Sequence, residues 1–263
     1  MRALALDWSG ARSCHAQRRH IWAAEAEDGR LRSLSGGMTR DGAIELALAA
    51  VDAGVDVVGL DFSFSFPEWF VRSVGADGGP GVWEVTAHEG ERWLAACDPP
   101  FWGRPGHPRP RFGPGREERR RTEEDVPPGM RRPKGTFQIG GAGAVGTASV
   151  RGMPALRRFR HAGIAVWPFD EAAPGTPFVA EVYPRWCTGP VVKGRPAARA
   201  EHLAGRPGAL GAVAREAAIR SEDAFDAVCT ALALSEGRLG PPAPTDEDRV
   251  EGRILAPPGV AAP

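Results

Sequence analysis

Residues 57 to 67 read VVGLDFSFSFP, an apolar run that ends in an acid, Asp61, with no basic neighbour before Arg72. With Val55 the run is rich in β-branched residues and nearly continuous, the mark of a strand covered on both faces. The segment before it predicts a helix: Thr39 is placed to cap it, Ile44, Leu46, Leu48 and Val51 sit among alanines, and Gly54 stops it. A strand reached through a helix normally runs parallel to its sheet neighbour. The natural neighbour is RALALDW, residues 2 to 8, an alternating strand that closes in the turn Ser9-Gly10. The fold class is therefore α/β. The Ser and Phe beyond Asp61 read as the strand's exit, with Ser63 and Ser65 capping a helix that opens near Pro67.

Between those two strands, HIWAAEAED and RLRSLSG flank Asp28-Gly29, a two-residue hairpin signal. The chain is thus expected to begin with three antiparallel strands in a meander. Residues 68 to 74 and 83 to 97 read as helices. Residues 98 to 136 are dense in Pro, Gly and Arg without periodicity, which predicts an insertion or lid. Regular structure resumes with QIGGAGAVGTASV and a helix through MPALRRFRHAG, then strands at GIAVWPFD and TPFVAEVYP and two short helices. Ser221 is placed to cap a last long helix, EDAFDAVCTALALSEG, with Phe225, Val228, Cys229 and Leu232 as its buried stripe. Beyond Gly240 a Pro-rich loop or tail surrounds GRILAP. This order predicts one domain over residues 1–263, a mixed sheet flanked by helices with a lid at 98–136.

The chain has 263 residues, and its 33 Lys and Arg balance its 33 Asp and Glu. No global field draws it to nucleic acid or membrane, so any polyanion must meet a local patch. Lys134 and Lys193 are its only lysines, which together with the abundant Ala, Gly, Pro and Arg reads as codon bias. Four scattered cysteines, Cys14, Cys97, Cys187 and Cys229, form no CxxC pair and indicate neither zinc nor a disulfide framework. No apolar run reaches the length of a membrane span, and the N-terminal apolar stretch is too short for a signal peptide. A soluble, cytoplasmic protein is the expectation.

Four segments carry an acid on or beside an apolar element: Asp7, Asp61, Glu181, and Asp223 with Asp226 in the last helix. The first three end strands expected to be neighbours, and open α/β sheets build sites at the carboxyl ends of such strands. Asp223 and Asp226, spaced i, i+3, project on one side of their helix. Converging carboxylates repel each other and need protons or a cation. Mg2+ or Mn2+ resolves the repulsion, and two such ions about 4 Å apart activate water and stabilise a leaving oxygen in phosphodiester cleavage. Asp7, Asp61 and Asp226 are the candidate metal ligands, with Asp223 or Glu181 assisting catalysis. Each also has a plainer reading. Asp7 and Asp61 suit the turns after them, Asp223 a helix first turn, and Glu181 an ion pair with Arg185.

Two further segments point to substrate. Gly140, Gly141, Gly143 and Gly146 suit either a tight turn or a phosphate cradle, with Thr147 and the amides of Gly143 to Gly146 as donors. From Arg104 to Lys134 ten basic residues, Arg119, Arg120 and Arg121 among them, face five acids. Phe101, Trp102 and Phe112 lie in or beside that run. Arginines interleaved with aromatics suit single-stranded or distorted nucleic acid, while a solvated loop explains the run as well. The six histidines show no metal-ligand spacing.

ALDWSGA, GLDFSFSFP, GGAGAVGT, VWPFD, AEVYP and EDAFDA, in this order, resemble a bacterial family, domain of unknown function 429, described as a predicted nuclease of RNase H-like fold. The resemblance covers residues 3 to 256. It implies a five-stranded mixed sheet whose first three strands are antiparallel. In the wider superfamily, with ribonuclease H and Holliday-junction resolvases, acids lie on the first strand, on or near the fourth, and on the last helix. Asp7, Asp61 and the pair Asp223 and Asp226 match those positions, whereas Glu181 has no counterpart there. A metal-dependent nuclease is the leading expectation. A nucleotide-dependent phosphotransferase of the actin and sugar-kinase type and a noncatalytic scaffold are the alternatives.

Overall fold

The computed structural model describes residues 1–257; the final six residues of the expected Pro-rich tail lie outside them. In chain order the elements are β1 (Arg2–Asp7), α1 (Cys14–His20), β2 (Trp22–Glu27), β3 (Arg30–Gly36), α2 (Arg40–Asp52) and β4 (Val57–Leu60). Then follow α3 (Glu68–Ser73), α4 (Gly79–Ala96), α5 (Arg121–Glu124), α6 (Gly146–His161), β5 (Ala165–Val166) and β6 (Phe178–Glu181). The chain continues with α7 (Pro184–Thr188), α8 (Pro196–Ala204), α9 (Ala212–Arg220), α10 (Glu222–Ser235) and α11 (Asp248–Glu251). No helix among the described residues is long and apolar enough to cross a membrane.

The strands form one mixed sheet in the order β3-β2-β1-β4-β6-β5. β1, β2 and β3 pair antiparallel, and β4, β6 and β5 run parallel to β1. The hairpin forms where Asp28 and Gly29 both take positive φ, 48° and 75°, the turn that matches strand twist. Two expectations need correction. The sheet has six strands, because the two-residue β5 adds an edge beyond β6. The opening meander is also interrupted by α1. This polar heptapeptide has no apolar stripe and is held by other means: Ser13 accepts from Ala16 N at 3.2 Å, and Gln17 accepts from Arg40 N at 3.1 Å.

Successive residues of a strand point to opposite faces, and registered partners of a parallel pair share a face. Leu4, Leu6, Val58, Leu60 and Val179 therefore point together and pack with α2, α4 and α6. The opposite face is lined by small residues, Ala3, Ala5, Ala24, Ala26 and Ala180, and receives α10. Gly59 leaves room for this packing, since a Cβ there would meet Leu234 Cδ1 at 2.8 Å and Val182 Cγ1 at 2.9 Å. Ser221 caps α10 by accepting from Ala224 N at 3.2 Å, as the sequence predicts.

The segment after Asp61 leaves the strand as expected, β4 ending at Leu60 and α3 opening after Pro67, but it is part of the core. Phe62, Phe64 and Phe66 are buried, and Phe66 packs with Phe70, Trp93, Phe101 and Phe137 at centroid distances of 4.9 to 6.0 Å. Neither serine caps α3: Ser65 Oγ donates to Val250 O at 2.8 Å, and Ser63 N donates to Ser149 Oγ at 2.9 Å. The 98–136 segment is packed at its two ends, while residues 105–117 between them are mostly exposed. Phe101, Arg120, Thr122 and Glu123 are buried, and Trp102 bridges to Gln138.

Candidate functional site

Asp7 is the last residue of β1, and Asp61 follows β4 by one residue, its amide extending the ladder to Leu6 O at 3.1 Å. Both lie at the carboxyl ends of adjacent parallel strands. Alternation turns them to the face that carries α10, where Asp226 is buried one turn past the helix start, 6% exposed. The three acids thus come together from three elements. No described residue donates a hydrogen bond to the carboxyl of Asp7 or Asp61, and Asp226 Oδ1 is buried without a partner.

Burial is the main force on all three carboxyls, and their mutual repulsion adds to it for Asp7 and Asp61. Asp7 is held well above the carboxylate range by burial, then by Asp61 and Asp226. Asp61 is pushed to about 8 by burial and Asp226. Asp226 rises only to about 6, because the Lys193 ammonium pairs with its Oδ2 and opposes burial. Burial acts against that ammonium, but Asp226, Asp61 and Asp7 outweigh it and hold its pKa above the ordinary lysine value. Such groups titrate together. Near pH 7 the Asp61 carboxyl is kept largely neutral, Asp226 is a carboxylate bound to one ammonium, and Asp7 is shifted toward its neutral form.

Asp61 and Asp226 border a groove of about 570 Å³ whose other lining includes Arg131, Arg132, Lys134, Arg185, Lys193, Tyr183 and Gly143. Acids at the foot and cations around them are complementary to a metal-bound phosphate: the carboxylates take the metal, and the basic side chains take the anion. A smaller cavity of about 140 Å³ also borders Asp61 and shares Lys134 and Tyr183 with the groove; Trp8, Arg120 and Glu181 line it too.

The remaining candidates fall elsewhere. Glu181 is registered with Leu60 and so points to the opposite face from Asp7 and Asp61. Its partner is Arg120, not Arg185: the Arg120 guanidinium donates to Glu181 at 2.6 and 2.8 Å, to Glu123 at 2.9 Å and to Glu251 O at 3.1 Å. Arg120 is 0% exposed, so its expected role on substrate is replaced by a structural one. Arg119 pairs with Glu124, and Arg121 with Asp125 and Glu247, and none of the three borders the groove. Asp223 is drawn to His20 Nδ1 at 2.9 Å and does not line the groove. Gly143 borders the groove, while the Thr147 hydroxyl is engaged on Ile139 O at 2.9 Å.

The chemistry of the donor set fits a hard divalent cation, three carboxylates with an orphaned buried oxygen at Asp226. As they stand, no three His, Cys, Asp or Glu side chains among the described residues are close enough to clasp one, and it is Lys193 that sits on Asp226. Sequence reasoning missed Lys193, Arg185 and Tyr183 and chose the wrong arginines from the basic run. One signal was present: in a chain with 33 basic residues the only two lysines, and its single tyrosine, all border this groove. No family model, curated protein or solved structure matches the chain.

Proposed function

We propose that the chain is a metal-dependent phosphodiesterase of RNase H-like fold acting on nucleic acid, with Asp7, Asp61 and Asp226 as ligands of Mg2+ or Mn2+. The observation that carries this reading is the convergence of three unpaired or under-paired carboxyls, Asp7 and Asp226 buried and Asp61 half-buried, at the foot of a basic groove. Buried acids without partners are destabilising, and they are kept where a site needs them. The order β3-β2-β1-β4-β6, with acids on β1, after β4 and on α10, supports the fold assignment and agrees with the resemblance noted in the sequence.

The chain's own residues supply orientation and charge. Arg131, Arg132, Lys134 and Arg185 hold phosphate oxygens along the groove, contacts that fix the backbone without reading bases. Asp7 and Asp61 would release their protons to hold the ion, whereas Asp226 already carries its charge against Lys193. The bound ion would polarise the scissile phosphate and lower the pKa of an attacking water. Tyr183, its hydroxyl pKa raised by burial and by Asp61, stays protonated beside the groove as a hydrogen-bond donor. The test is cleavage of single-stranded, duplex and branched DNA and RNA with Mn2+ or Mg2+. Wild type should cleave at least one of them, and Asp7→Asn and Asp226→Asn should lose that activity by at least about 100-fold. Activity surviving either substitution sinks the assignment.

A further inference from the structure

We propose that Lys193 is the site's resident counter-cation, occupying Asp226 until a divalent ion displaces it, so that the lysine sets how readily the site loads. The inference rests on the reading of Asp7, Asp61 and Asp226 as metal ligands.

Three observations carry it. The first is occupancy: Lys193 Nζ pairs with Asp226 Oδ2, while Asp226 Oδ1 is buried without a partner or a path to solvent. The lysine therefore stands on the carboxylate oxygen that an ion would take. The second is mobility. The backbone around Lys193 is pinned, since its carbonyl accepts from Arg199, whose guanidinium also holds Ile219 O, and Val191 O accepts from Arg185 Nη1 at 2.5 Å. The flexible four-carbon side chain is therefore the part that moves, and it stands 27% exposed at the groove. The third is identity. Nearly every other cation in this chain is arginine, whose planar fork would hold a carboxylate through two parallel bonds. A compact ammonium is the cation that most resembles a small metal ion and is the more easily exchanged for one. Displacement trades one charge of +1 for one of +2 among three carboxyls and frees the ammonium for the groove, where substrate phosphates bind.

Calorimetric titration of the full chain with Mn2+ at pH 8 tests this, comparing wild type with Lys193→Gln, Lys193→Met, Lys193→Arg and Lys134→Gln. Removing a competing partner from a close charge pair should tighten Mn2+ binding at least about 10-fold in the Gln and Met variants. Lys193→Arg should bind no tighter than wild type. Lys134→Gln borders the groove without touching Asp226 and should change affinity less than about 3-fold, which separates displacement from a general charge effect. Equal Mn2+ affinity in wild type and the Lys193→Gln and Lys193→Met variants, or weaker binding in those two, overturns the displacement proposal and leaves the metal site standing. Failure of every protein to bind Mn2+ overturns the metal-site reading itself. Should Lys193→Met prove unfolded by circular dichroism, Lys193→Gln carries the comparison, being polar and of nearly the same length.

Discussion

Replacing Asp61 with asparagine should stabilise the protein, and by an amount that grows with pH. The carboxyl titrates at 3.8 in an ordinary setting and at about 8 in the folded chain. A raised acid pKa means that the native state holds the proton more tightly than the unfolded chain. Between those two values the native state therefore binds more protons, and stability falls as pH rises. Below about pH 4 both states are protonated and the effect vanishes; above about pH 8 both are ionised and it levels off. Four units at about 1.4 kcal/mol each set a ceiling of roughly 5–6 kcal/mol. Partial exposure and coupling to Asp7 and Asp226 reduce this, and about half the ceiling, ~3 kcal/mol, is expected. In a chain of this length that is ~6 °C in Tm. Asparagine copies the shape of the protonated acid and never ionises. In chelator, Asp61→Asn should melt within about 1 °C of wild type at pH 4 and about 6 °C higher at pH 8.5 by scanning calorimetry. A Tm difference that does not change with pH, or a destabilised variant at pH 8.5, would refute the argument that this carboxyl is buried at a cost.

Other outcomes follow from the same geometry. Arg120→Ala strands Glu181 and Glu123 in the core and should lower stability by about 3–5 kcal/mol in urea, whereas Arg120→Met with Glu181→Gln and Glu123→Gln should recover much of it. Gly59→Val drives a side chain into Leu234 and Val182 and should lower stability by about 1–3 kcal/mol while pushing α10, and Asp226 with it, off the sheet. Mn2+ affinity in that variant should fall even where calorimetry finds it folded. Because Asp226 titrates at about 6 and Asp61 at about 8, Mn2+ affinity should climb between pH 6 and 8 with one to two protons released. Titration in buffers of different ionisation enthalpy measures that release, and a pH-independent affinity would contradict it.

The hairpin, the helix from Thr39 and the parallel pairing of the first strand with VVGLDF were all legible in the sequence, because each rests on local chemistry. Asp28-Gly29 tolerates positive φ, Thr39 caps, and β-branched residues fill a strand buried on both sides. Helix α1 was not legible, since CHAQRRH lacks an apolar period and is fixed by the contacts of Gln17 and the Ser13 cap. Asp7, Asp61 and Asp226 could be picked out as acids at strand ends and on the last helix. Glu181 shared that signature but not the side of the sheet: register with Leu60 turns it away, which becomes visible only when strands are aligned. The same gap explains Arg120, since a run of arginines reads as a solvated patch until the two glutamates it bridges, one of them 61 residues on, are in view. Lys193 was hidden by composition, because codon bias explains the scarcity of lysine but says nothing of where the two survivors sit.

The central claim is that Asp7, Asp61 and Asp226 share a divalent cation. Crystals grown at pH 8 with Mn2+ and measured at the manganese edge test it directly. The account predicts an anomalous peak between the three carboxyls, with Asp226 turned to it and Lys193 Nζ withdrawn into the groove. No peak there, with the Lys193 to Asp226 pair intact at millimolar Mn2+, would contradict it.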